Sequence, residues 1–328
     1  MIRLRRFALI LAVVLLPGPA VADPLPSWND GPAKAAILSF VEQVTEAGGP
    51  HYVPPPERIA VFDNDGTLWA EQPMYFQLIY AFNYVKTLAS RNPGWAESRV
   101  LRAAMVGDVA EVLRNGQQGV MQVVMASHSG MTVDQLQASV RDWLAEARHP
   151  TTGRPYTAMV YQPMLELLTY LRAEGFKTFI VSGGGIDFIR VFAEEVYGIP
   201  PEQVIGSSLA AEFVETAEGA VIRKLPELNF VDDKAGKPVA INLHIGRRPI
   251  AAFGNSDGDL QMLQYTTSGE GLRFGLIVRH NDAEREWAYD RESTIGRLDT
   301  ALDAAEEEGW TVVDMEADWR VVYPAEAD

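Results

Sequence analysis

Residues 58–69 read RIAVFDNDGTLW. The apolar run Ile59, Ala60, Val61, Phe62 stops at Asp63-Asn64-Asp65-Gly66-Thr67, and a short run of that composition reads as a strand buried on both faces. Asp63 and Asp65 then lie just beyond a strand's carboxyl end, the crevice where open α/β sheets bind ligands. Gly66 lets the chain turn sharply there. An ordinary Asp-Gly turn would use the same residues, so the rest of the chain has to decide between the two readings.

At 328 residues the chain can form one large α/β domain with an inserted subdomain, or two domains. Its 47% hydrophobic content argues against disorder. Upstream of the strand, Arg3, Arg5 and Arg6 precede an apolar stretch over residues 7–16, then Pro17-Gly18-Pro19 and Ala20-Val21-Ala22. A basic region, an apolar region and an A-x-A cleavage site in that order predict a signal peptide over residues 1–22. The apolar stretch is short for a bilayer span, and the alternative is an uncleaved anchor. The mature chain would begin near Asp23 in the periplasm or outside the cell, with no stable membrane association after cleavage. There is no cysteine, so neither a disulfide nor a lipid-modified cysteine is available. Loss of the three arginines takes the formal charge from −16 to −19. Such a surface repels nucleic acid and anionic membrane, and an anionic substrate must rely on local cations.

Downstream of the strand, apolar residues recur at three- and four-residue spacing: Met74, Leu78, Ile79, Phe82, Val85 and Leu88, then Val133, Leu136, Val140, Trp143 and Leu144. Breaks at Asn92-Pro93-Gly94, Asn115-Gly116 and Ser129-Gly130 divide the block into four or five helices. The expected organisation is an α/β core, residues 23–71 and 158–328, with an all-helical cap, residues 72–157, inserted after the first core strand. Within the core, a helix is expected over 33–46 and another over 162–174. A strand over 176–181 ends in Ser182-Gly183-Gly184-Gly185 and leads into a helix over 186–197. A short strand at 204–205 and a hairpin pairing 209–215 with 220–223 follow. A strand over 249–253 then ends in Gly254-Asn255-Ser256-Asp257-Gly258-Asp259 and leads into a helix from 260. The last elements are a strand over 274–278 and helices over 282–289 and 298–308. This alternation predicts a Rossmann-like parallel sheet with right-handed crossovers.

Three strands thus end in polar, glycine-containing loops on one rim. Phosphoryl transfer suits such a rim, since it needs an in-line oxygen nucleophile, a proton donor for the leaving oxygen and positive charge around the phosphoryl group. Asp63 can serve as nucleophile through an acyl phosphate. Asp65 can serve as general acid and base, its pKa raised by the neighbouring carboxylates. Ser182 and the backbone N–H groups of Gly183 and Gly184 suit phosphoryl oxygens. The first and third loops offer oxygen ligands to Mg²⁺, whereas the five histidines, His51, His128, His149, His244 and His280, lack zinc-like spacing.

In combination these loops resemble the motifs of the haloacid dehalogenase superfamily, in its phosphatase branch related to phosphoserine phosphatases. The resemblance rests on DxDGT at 63–67, the strand-terminal SGG at 182–184 and a GDxxxD-like loop at 254–259, and spans about residues 59–263. It implies Asp63 as nucleophile, Asp65 as general acid/base, and Thr67 and Ser182 as phosphate-loop residues. It also implies a lysine, between the second and third loops, that pairs with the nucleophile. Lys234 and Lys237 are candidates; Lys237 is followed by Pro238, which suits the start of a helix. Dehalogenases lack the second aspartate, so Asp65 favours phosphoester chemistry. The third loop departs from the family's pattern, with Asn255 where its first acid would stand. Asp259 aligns with the second acid, or caps the next helix, and Asp257 could restore the missing charge. The expected metal set is therefore Asp63, Asp65, Asn255, Asp257 and Asp259. Trp69 and Glu71 are candidates for the entrance beneath the cap. The expectation is an exported, Mg²⁺-dependent phosphatase acting on small phosphomonoesters through an aspartyl-phosphate. The alternatives are a phosphotransferase or mutase, and a non-catalytic binder of a phosphorylated ligand.

Overall fold

A computed structural model describes residues 22–325, so the segment expected as a signal peptide lies outside the described residues except for Ala22. The chain begins with helix α1 (Pro32–Thr45) and strand β1 (Ile59–Phe62). Then come helices α2 (Phe76–Leu88), α3 (Arg99–Val106), α4 (Val109–Arg114), α5 (Gly116–His128) and α6 (Val133–Glu146). Helix α7 (Gln162–Ala173) returns to strand β2 (Lys177–Gly185), followed by α8 (Ile186–Ile189) and α9 (Ala193–Tyr197). Strands β3 (Val204–Thr216) and β4 (Gly219–Phe230), helix α10 (Gly236–His244), strand β5 (Ala251–Gly254) and helix α11 (Leu260–Thr267) come next. The chain closes with β6 (Phe274–Asn281), β7 (Ala288–Tyr289), α12 (Thr300–Glu308), β8 (Thr311–Asp314) and α13 (Met315–Asp318).

The sheet runs β4-β3-β2-β1-β5-β6-β7, with β8 also on β6. The pairs β2–β1, β1–β5, β5–β6, β2–β3 and β6–β8 are parallel, while β3–β4 and β6–β7 are antiparallel. Central β1 shows why the sheet is doubly covered. All four of its residues are buried; Ala60 and Phe62 join one apolar cluster and Ile59 and Val61 the other, as the two-residue period of a strand requires. Its neighbours repeat the division, with Ile180, Phe253 and Leu276 on the first face and Val181, Ala252 and Ile277 on the second. Phe62 and Phe253 stack at 4.3 Å between ring centroids, which locks β1 to β5 beneath the rim.

The inserted helices have a core of their own, in which Leu78, Phe82 and Val85 of α2 meet Val100, Leu101, Ala104, Val112 and Val123. Helix α6 belongs elsewhere: Leu136, Val140 and Leu144 are part of the main cluster. Trp143 and Tyr80 lie within 6.3 Å and 5.7 Å of Phe188 in α8. The chain enters and leaves this block side by side, Ala70 N–H donating to the Met159 carbonyl and Tyr161 N–H to that of Leu68.

Four expectations change. The helix expected over 186–197 is broken into α8 and α9. The strand at 204–205 and the hairpin are one continuous ribbon, longer than the alternation alone indicates, because its outer half lies against the cap rather than the core. There Gly130 N–H donates to the Lys224 carbonyl and Lys224 N–H to that of Met131. No helix forms over 282–289: the Asp282 carboxylate accepts from the N–H groups of Glu284 and Arg285, a local turn that competes with helix, and β7 follows. Finally, β8 adds a strand that its four residues do not announce in the sequence. Among the described residues no helix is long and apolar enough to cross a membrane.

Candidate active site

The first loop is folded tightly on itself. The Asn64 carbonyl accepts from the N–H groups of Thr67, Leu68 and Trp69, and the Asn64 side chain accepts from Tyr197 Oη at 3.1 Å. Gly66 has φ +79°, and a Cβ there would sit 2.0 Å from Asn255 Nδ2 and 2.4 Å from Glu71 Oε1. Only glycine fits both the conformation and the space. His280 Nε2 donates to the Gly66 carbonyl at 2.8 Å, bracing the turn from β6.

Lys237, 2% exposed, stands at the centre of the rim. Its Nζ donates to Asp63 Oδ1 at 2.6 Å, Asp259 Oδ1 at 2.6 Å and the Val181 carbonyl at 2.8 Å, joining the ends of three strands. All three ammonium hydrogens are thereby placed. Lys234, by contrast, is exposed with φ +52°. Burial alone would lower the Lys237 pKa, but the carboxylates of Asp259 and Asp63 outweigh it and hold the ammonium charged. Asp63 is pushed well above the usual carboxylate range, first by burial and then by Asp259, with Lys237 opposing. Asp65 is raised by burial, against the indole N–H of Trp69, which donates to its Oδ1 at 2.8 Å. Asp232, in the loop before α10, is buried beside this cluster and pushed up to about 7 by desolvation.

A cavity of about 230 Å³ opens over this rim, and Asp63, Asp65, Gly183, Gly184 and Lys237 line it. Thr67 and Ser182 do not. Thr67 is fully buried and its Oγ1 donates to Asn255 Oδ1 at 3.1 Å, tying the first loop to the third. Ser182 Oγ accepts from Gly184 N–H at 3.0 Å, so this hydroxyl shapes the second loop from within. Gly185 N–H donates to Gln77 Oε1 at 2.6 Å, a link from the second loop to α2 of the cap.

The third loop also differs from expectation. Asp257 Oδ1 accepts from the N–H groups of Asp299 and Ala301, both at 2.9 Å. It caps α12 instead of restoring charge to the rim. Asp259 spends Oδ1 on Lys237, and Oδ2 on the N–H groups of Asn255 and Ser256 and the Ser256 hydroxyl. The Asn255 amide is held between Thr67 and Glu71, donating from Nδ2 to Glu71 Oε1 at 2.7 Å. Glu71 is 1% exposed, also accepts from Tyr289 Oη at 2.9 Å, and is raised well above its normal range by burial and then by the Asp65 carboxylate. A carboxylate therefore stands beside Asn255 after all, supplied by the first loop. Its signal in the sequence was position alone, directly after the motif. Both Glu71 and Trp69 are buried, but Glu71 lines the cavity and Trp69 does not.

Among the described residues no group of three or more His, Cys, Asp or Glu side chains is arranged to hold a metal ion. Asp63 and Asp65 are nevertheless two carboxylates on one cavity. Mg²⁺ is commonly bound by one or two carboxylates with retained waters and substrate phosphate, so this donor set fits it.

A mostly parallel sheet with paired aspartates and a buried lysine at its carboxyl rim, beneath an inserted helical block, defines a capped Rossmann-like α/β architecture. The family model described as haloacid dehalogenase-like hydrolase matches residues 60–264, and the chain belongs to that family. Among solved structures, a conserved functionally unknown protein from Anaerococcus prevotii DSM 20548 is 15% identical, with TM-score 0.55, over 88% of this chain and 94% of that one. A protein with unknown function from Bordetella pertussis Tohama I is 14% identical, with TM-score 0.48, over 79% and 99%. A probable phosphoserine phosphatase from Vibrio cholerae is 15% identical, with TM-score 0.41, over 84% and 64%. The first of these supports the fold. A search of curated proteins returned no match.

Proposed function

We propose that the chain is an exported phosphatase that hydrolyses small phosphomonoesters through an aspartyl-phosphate on Asp63. The observation that carries this reading is Lys237, buried and charged between Asp63 and Asp259, with Asp63 and Asp65 facing one cavity. A carboxylate oxygen of Asp63 attacks phosphorus as the bond from phosphorus to the leaving oxygen breaks. Asp65, whose pKa burial raises, gives its proton to that oxygen. It then takes a proton from the water that attacks the acyl phosphate, which releases inorganic phosphate and restores Asp63. Lys237 holds Asp63 in place and offsets negative charge beside the phosphoryl group. Mg²⁺ held at Asp63, with waters and the substrate phosphate completing its shell, would add positive charge against the phosphoryl oxygens.

Phosphate release from an aryl phosphate, with Mg²⁺ and with chelator, tests the proposal. Chelation should abolish turnover, and Asp63→Asn should lower kcat by at least about 10³. Parent-rate turnover by Asp63→Asn would sink the mechanism.

A further inference from the structure

Resting on the phosphatase reading, we infer that the leaving-group end of the cavity selects a phosphomonoester whose organic body is small, apolar and free of a second negative charge, such as a short branched alkyl phosphate. The cavity is lined by two unlike sets of residues. Besides the rim residues, its wall includes Leu78, Val120, Met121, Val124, Phe188 and Leu209, drawn from α2, α5, α8 and β3. At about 230 Å³ it falls below the roughly 300–1,000 Å³ of pockets for drug-sized ligands, so the body is small.

Helix α5 shows what this wall is for. Val123 is fully buried in the cap's own core, while Val120, Met121 and Val124, one turn apart, are half-buried and border the cavity. Apolar side chains in that position are relieved of water only when something apolar fills the space.

Charge on this side is already spent. Among the described residues, the ammonium that lines the cavity besides Lys237 is that of Lys224, whose Nζ lies 2.8 Å from Asp187 Oδ2 and donates to the Leu209 carbonyl at 3.2 Å. The pair is largely buried and neutral as a unit. His128 adds no cation: burial pushes it down to about 4, and its Nδ1 is bonded to Ser127 Oγ at 2.6 Å. Gln77 has its carbonyl oxygen engaged by Gly185. A second carboxylate or phosphate on the substrate would therefore lose water without meeting, among the described residues, a cation that is not already paired. Rejection by unpaired charge is an effective route to specificity.

Isobutyl phosphate and 3-phosphoglycerate test this inference, since both are esters of a primary alcohol and the second carries a carboxylate and a hydroxyl where the first has two methyl groups. Turnover is measured with the parent, and binding of each ester by calorimetry with Asp63→Asn. The parent should prefer isobutyl phosphate in kcat/KM by about tenfold or more, and binding should show the same order. Met121→Lys, at a half-buried helix position, should shift the ratio toward 3-phosphoglycerate. Turnover or binding that favours 3-phosphoglycerate, or treats the two alike, overturns the inference and leaves the phosphatase reading standing. Preferential binding of isobutyl phosphate without turnover supports the subsite and overturns the phosphatase reading. Binding of neither ester overturns the inference.

Discussion

At the sheet rim Lys237 places its three hydrogens on Asp63, Asp259 and the Val181 carbonyl, whereas Val120, Met121 and Val124 of α5 present half-buried apolar surface to the same cavity. The rim is held by directional bonds between buried charges; the wall is held by packing and is shaped to be filled. In the proposed enzyme the first region fixes the reaction and the second decides what is admitted. Two links join them: Gly185 to Gln77, and the β3–β4 ribbon, which runs from the sheet to the cap at Gly130 and Met131.

The largest effect that can break this contrast is expected at Lys237. In Lys237→Met two buried carboxylates lose their shared cation, which should lower kcat by about 10²–10³ and stability at pH 7 by about 3–5 kcal/mol. The pH dependence has a definite sign. Burial already raises Asp63 above its unfolded value, and without Lys237 it rises further. The folded variant then binds a proton that the unfolded chain does not, so its stability recovers as pH falls and is lost as pH rises through the folded pKa. Denaturant melts at pH 5 and pH 8 check this; a variant equally stable at both would show that the rim does not depend on the ion pair.

A smaller effect is expected in the cap. Ser98 caps α3, its Oγ accepting from the Leu101 N–H. Ser98→Ala should cost about 1 kcal/mol of stability and leave kcat at the parent value. A fall in kcat beyond twofold or so, with the protein still folded, would mean that cap packing positions the reacting groups and that the two regions are not separable.

The same contrast explains what the sequence disclosed. The four-residue apolar run into Asp63-Asn64-Asp65-Gly66-Thr67 marks both a doubly buried strand and a charged loop, so the central strand, the parallel sheet and Asp63 and Asp65 were legible together. Lys237 was one of two candidates until its burial separated it from Lys234. Thr67, Ser182, Asp257 and Asp259 were visible as polar loop residues, but a motif does not reveal where a short side chain points. Three of them brace loops or cap a helix, and Asp259 anchors the third loop while binding Lys237. Glu71 and the Lys224–Asp187 pair carried no local pattern, because each acts through partners far away in the chain. The ribbon was under-read for a similar reason, since its outer half is stabilised by cap residues that lie about ninety positions earlier.

The central claim is that Asp63 carries the phosphoryl group during turnover. Mixing the parent protein with an aryl phosphate and Mg²⁺, quenching in acid within the first turnovers and mapping peptides by mass spectrometry tests it most directly. The account predicts one phosphoryl group on the peptide that contains residues 58–69, assigned to Asp63 by fragmentation and absent from Asp63→Asn. Steady phosphate release with that peptide unmodified, or with the phosphoryl group on another residue, would contradict it.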